Sequence, residues 1–217
     1  KETIERSHEK GIKVFCDVTD LKYAQKVEAM GADGVIAVNK QAGGHAGQME
    51  PRALVDLLKE NCNIPIIAAG GVGDYASMQE KLGWGCAGAS VGSIFIASEE
   101  AGVSSDYKQA IVEYGKDDIV MTTKLSGTHC TVMKTPYVEK IGNEQSRLER
   151  TLNKNKKNKE WVKAIVCAWG MKKLQNAAFS ATYKTLWCAG PSIEYVEEVL
   201  PVKKIVDKLT VKKEVNV

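Results

Sequence analysis

Gly34-Val35-Ile36-Ala37-Val38, Ala42-Gly43-Gly44-His45-Ala46-Gly47 and Ile64-Pro65-Ile66-Ile67-Ala68-Ala69-Gly70-Gly71 follow one another within 38 residues and decide the fold. The first and third stretches carry runs without the polar alternation of a strand that has one wet face. Each is expected to be a strand buried on both sides, as in a parallel sheet covered by helices. Between them, Pro51 suits the first position of a helix, and Leu54, Leu57 and Leu58 fall at helical spacing. Glycine follows each apolar run. At the carboxyl end of a parallel strand, that is the ligand-binding side.

The same alternation extends in both directions. Ile12 to Cys16 is the expected first strand, and Asp20 is a suitable N-cap for a helix reaching Ala29. A helix over Tyr75 to Leu82 leads to a strand at Ala89 to Val91, and Ile94 to Glu100 starts another helix. Ile119 to Thr123 is the fifth strand candidate. The spacing predicts an α/β chain whose residues 1–142 are the C-terminal β-α units of a (β/α)8 barrel. An open doubly wound sheet is the other architecture it allows. A complete barrel typically needs roughly 250 residues, so the barrel is expected to be partial. The first residue is Lys1, and the chain is expected to begin partway through a longer protein.

Residues 143–217 read as a mostly helical extension. Lys154, Lys156, Lys157, Lys159 and Lys163 make its start a solvated face rather than a polyanion site. Trp161 to Leu186 is helical in pattern, and Pro201 to Leu209 forms a short closing helix.

Composition excludes several classes. A net charge of +3 on 217 residues gives no argument for nucleic acid or a membrane surface as partner. No stretch is apolar enough to span a bilayer, and no signal peptide is visible. The six cysteines form no C-x-x-C pair and no metal-ligand spacing with the three histidines. Free thiols in a reducing, cytoplasmic setting are expected, with Cys16 buried and no metal bound.

Three glycine loops carry the candidate chemistry. In Ala42 to Gly47, Gly43 and Gly44 let backbone approach a flat ligand, and His45 is either a base at the sheet's mouth or a loop cap. Ala69-Gly70-Gly71 and Gly92-Ser93 each end a strand and precede a helix. In tandem they resemble the phosphate site that many barrels build after consecutive strands, with the Ser93 hydroxyl as a further donor. Asp17 and Asn39 also fall at strand ends, and Asp17 reads as a turn former. His129 reads as a loop histidine and His8 as solvated. Trp84, Trp161, Trp169 and Trp187 read as core or interface.

Gly31-Ala32-Asp33-Gly34-Val35-Ile36-Ala37 with Ala42-Gly43-Gly44-His45 resembles the nitronate monooxygenases and the related flavin-dependent enoyl-ACP reductases. Ile64 to Val72, Gly92-Ser93-Ile94-Phe95 and Glu99-Glu100-Ala101 extend the likeness, which continues through Leu125-Ser126-Gly127 and Trp187-Cys188-Ala189-Gly190. The resemblance implies FMN, with its phosphate at Gly70, Gly71, Gly92 and Ser93, and Gly43, Gly44 and Ala69 beside it. It implies that the position of His45 takes the α-proton of a nitroalkane, and that dioxygen is co-substrate. An NAD(P)H-dependent enoyl-ACP reductase is the alternative enzyme, and an inactive half-barrel the non-enzymatic one. Two departures stand out. Ala189-Gly190-Pro191 replaces the family's Ala-Gly-Gln, leaving Ser192 as a substitute, and Ala46 replaces a basic residue. The open sheet edges are expected to be covered by the N-terminal half of the barrel or by a second copy of the chain.

Overall fold

The computed structural model describes residues 1–124, 127–145, 172 and 186–212. The chain divides into two compact units. One comprises residues 1–42, 46–92 and 206–217, and the other residues 43–45 and 93–205.

The first unit is built on a four-stranded parallel sheet. Its strands are β1 (Phe15–Val18), β2 (Gly34–Val38), β4 (Ile66–Ala69) and β5 (Gly88–Ser90), in the order β1-β2-β4-β5. Parallel neighbours need crossover connections. Helices α2 (Leu21–Ala29), α3 (Pro51–Asn61) and α4 (Tyr75–Gly83) lie in those three connections. Their starts follow local chemistry. The Asp20 carboxylate accepts the Tyr23 N–H at 3.0 Å, Pro51 opens α3, and Asp74 and Ser77 form a capping box for α4. Leu54 and Leu58 are fully buried with Val55, Val18, Val35, Ala37, Ile66 and Ala68. Burying a leucine contributes roughly 1.5–3 kcal/mol, so this face of α3 anchors the helix to the sheet. Trp84 packs against the same cluster, with the Lys81 ammonium 4.0 Å from its ring centre.

Two expected strands shift. The first runs over Phe15–Val18 rather than Ile12 to Cys16, and Ile12 is 55% exposed. Gly11 turns the chain at φ +69°, and the Asp33 carboxylate accepts the Val14 N–H at 2.7 Å. The run is therefore held by a side chain before it joins the ladder. The fourth strand is Gly88–Ser90, one residue earlier than expected. Cys16 is half-buried rather than buried, and Asp17 is an exposed strand residue rather than a turn former.

The second unit contains a three-stranded sheet in the order β3-β7-β6, with β3 (Gly44–His45), β6 (Ile119–Thr122) and β7 (Cys130–Met133). Both pairings are antiparallel. The fifth strand candidate is thus correct in position and wrong in partner. Only a short connection joins Thr122 to Cys130, and a parallel crossover needs a dozen residues or more. β7, which the sequence reading missed, is buried at all four positions. Ile94 to Glu100 is not an α-helix. Ser93–Ala97 forms a 3-10 turn, after which Ser98 bridges to Leu200 and the Glu99 N–H donates to the Leu200 carbonyl at 3.0 Å. A second core gathers Ala97, Tyr107, Ala110, Ile111, Met133, Ala189 and Ile193. Tyr107 stacks on Trp187 with ring centres 5.4 Å apart.

The closing helix runs over Val202–Thr210, close to its expected span. Its first N–H groups include that of Val202, which donates to both Glu100 carboxylate oxygens. The lysine-rich stretch at 154–163, most of the helical reading over 161–186, Trp161, Trp169, Cys167 and the pair Leu125-Ser126 lie outside the described residues. No helix among the described residues is long and apolar enough to cross a membrane.

Candidate functional site

Within the parallel sheet, the register pairs Val38 with Ala69 and Ala69 with Ser90. The carboxyl ends of β2, β4 and β5 therefore stand side by side, and the loops that leave them start from one edge. Gly70, Gly71 and Gly92 all follow on that edge.

The glycines do different work. Gly70 and Gly71 have φ +108° and +78°, a region that side-chain-bearing residues rarely enter. A Cβ on Gly70 would come within 2.4 Å of the Ala42 nitrogen, and one on Gly71 within 2.0 Å of Gln41 Oε1. The loop after β2 thus rests directly on the turn after β4. Asn39 secures it. Its side chain is buried, and its Oδ1 accepts the Gln41 N–H at 2.7 Å. Asn39 therefore shapes a loop. A Cβ on Gly92 or Gly44 would meet nothing within 4 Å, so backbone there borders open space.

In the second unit, Gly43, Ser93 and Gly190 come together. The Ser93 hydroxyl is buried and accepts the Gly190 N–H at 2.8 Å. A Cβ on Gly43 would lie 2.6 Å from Ser93 Oγ and 2.9 Å from the Gly190 nitrogen. Ser93 keeps one hydroxyl proton to donate. His45 is exposed and stands in β3 opposite Cys130. The neighbouring pair is tied as well, since the Thr131 hydroxyl donates to the Gly44 carbonyl at 3.3 Å. An exposed imidazole on a paired strand has a fixed backbone and a solvent-reachable ring, which suits proton transfer.

A family model described as nitronate monooxygenase matches residues 1–212. The chain belongs to the nitronate monooxygenase family. It is 33% identical over 126 residues to a nitronate monooxygenase of Paraburkholderia phytofirmans, covering 54% of this chain and 34% of that protein. It is 30% identical over 182 residues to a probable nitronate monooxygenase of Staphylococcus saprophyticus, covering 73% and 51%. The structure of FabK from Thermotoga maritima superposes with a TM-score of 0.78 at 29% identity, over 96% of this chain and 63% of that one. This family member spans from about a third to about half of those two curated relatives. The α/β fold with a parallel sheet agrees with these likenesses.

The remaining candidates separate. His8 is not simply solvated, because its Nε2 lies 2.8 Å from Asp33 Oδ2. His129 is half-buried just before β7. Ser192, the substitute for the family's glutamine, is buried in the 3-10 turn Pro191–Tyr195. The proximity of Gly43, Ser93 and Gly190 was barely legible in the sequence. Its one signal is that glycine or serine stands at all three positions.

Proposed function

We propose that this chain is the C-terminal part of a (β/α)8 barrel flavoenzyme that oxidises alkyl nitronates or nitroalkanes with dioxygen. The run from β1 to β5 supplies the parallel β-α units. The sequential strand order β1-β2-β4-β5, with no reversal, supports a singly wound barrel over a doubly wound sheet. Family membership over residues 1–212 supports the chemistry.

The observation that carries the reading is the pair of glycine turns leaving adjacent parallel strands at one edge. Gly70, Gly71, Gly92 and Ser93 would hold the FMN phosphate through backbone N–H groups and the Ser93 hydroxyl. Gly43, Gly44 and Ala69 would line the ligand. FMN supplies the redox chemistry with dioxygen when bound. His45 accepts the α-proton of a neutral nitroalkane at an imidazole nitrogen. Gly43 and Gly44 carry no side chains of their own to screen that ring.

The test is FMN titration of the purified protein, followed by assay with a nitronate under air. Flavin binding with nitronate-dependent dioxygen consumption supports the reading. Turnover only with NAD(P)H and an enoyl thioester would replace it with the reductase alternative. Failure to bind FMN would leave a half-barrel without flavin chemistry.

A further inference from the structure

Cys130 is the first residue of β7 and is fully buried. Cys188 lies 58 residues further on and is partly exposed. Their sulfurs are 3.6 Å apart. A disulfide needs about 2.05 Å between sulfurs, so closure takes a movement of roughly 1.5 Å. Both backbones are pinned where they carry these thiols. The Tyr107 hydroxyl donates to the Cys188 carbonyl at 2.5 Å, and the Met133 N–H donates to the Trp187 carbonyl at 2.9 Å. The two cysteines are thus held as a pair by contacts that do not involve sulfur.

We propose that Cys130 and Cys188 are a dithiol redox site that closes reversibly to a disulfide at the expense of a peroxide. Cys188, the exposed partner, attacks the peroxide, and its own proton goes to the leaving oxygen. The O–O bond breaks, Cys188 becomes a sulfenic acid, and one water leaves. Cys130 then attacks the Cys188 sulfur, the S–O bond breaks, and a second water leaves with the Cys130 proton. Two thiols and one hydrogen peroxide thus give one disulfide and two waters.

The hydrogen bond with Cys188 holds the Cys130 thiol below its ordinary range, and the shared proton raises Cys188. Cys130 is therefore the readier thiolate of the pair, which suits it to the resolving step. Burial pushes the Cys62 and Cys86 thiols up as well. Closure would also matter for the site. Cys130 faces His45 across the β3-β7 ladder, and Cys188 is two residues from Gly190, whose N–H binds Ser93.

Reduced protein is treated with increasing hydrogen peroxide, alkylated, digested with trypsin without reductant and mapped by mass spectrometry. Cys130 and Cys188 fall in separate tryptic peptides. The cross-linked pair should appear before any change at Cys16, Cys62, Cys86 or Cys167, and dithiothreitol should return both thiols. In Cys130→Ser, Cys188 should stop at a sulfenic acid that dimedone captures. In Cys188→Ser, peroxide should leave Cys130 far less modified. The idea is overturned if both thiols stay alkylatable while other cysteines oxidise. It is equally overturned if wild-type Cys188 proceeds to sulfinic acid with Cys130 free, or if no thiol is lost.

Discussion

The Ser93 hydroxyl accepts the Gly190 N–H at 2.8 Å, although 97 residues separate them. The bond is buried, and Gly43 backbone lies against both partners. One serine thus joins two segments that the sequence places far apart, and it keeps a proton to give.

Ser93→Ala should therefore destabilise as well as weaken any phosphate site. Leaving a buried N–H unsatisfied costs about 1–3 kcal/mol. Ser93→Thr keeps the hydroxyl and should lose less. Urea denaturation of the three proteins checks this. Equal midpoints for wild type and Ser93→Ala would mean that the bond contributes nothing.

Gly70 and Gly92 should respond differently to alanine. Gly70→Ala combines φ +108° with a 2.4 Å approach to the Ala42 nitrogen. It should cost well over 1 kcal/mol. Gly92→Ala meets open space and should change stability by no more than about 0.5 kcal/mol. If phosphate binds there, Gly92→Ala should still weaken FMN. Thermal unfolding and fluorescence titration with FMN separate the two effects.

His45→Ala should leave the fold and FMN affinity nearly unchanged. A positioned base contributes on the order of 10²–10⁴ in rate, so turnover of a neutral nitroalkane should fall by that factor. An already ionised nitronate needs no proton removed and should suffer far less. Paired dioxygen-electrode assays give the comparison. Unchanged nitroalkane turnover would remove His45 from the mechanism.

The Asp33 carboxyl is held below its ordinary range by the Val14 N–H, and next by the His8 side chain. A depressed carboxylate stabilises the fold above its ordinary pKa of about 3.9. That contribution is lost as pH falls through the folded value. Asp33→Asn should therefore lower Tm near neutral pH, and the gap from wild type should close below about pH 4. A gap constant down to pH 2 would contradict the assignment.

Much of this protein was readable from residue order. Apolar runs without alternation identified β2 and β4 as parallel strands, because a strand buried on both faces tolerates no polar side. Asp20 and Pro51 marked helix starts because capping is local. Glycines in the segments after β2, β4 and β5 pointed to one edge of the parallel sheet, because backbone sterics act residue by residue. The tertiary structure alone decided the rest. Ile119–Thr122 reads as a strand in either setting, and its antiparallel partner β7 was chosen by loop length and burial. Gly43 at Ser93, Asn39 under Gly70 and Cys130 beside Cys188 are meetings of distant segments. No local pattern encodes them, since side-chain packing between remote elements depends on where each element is placed.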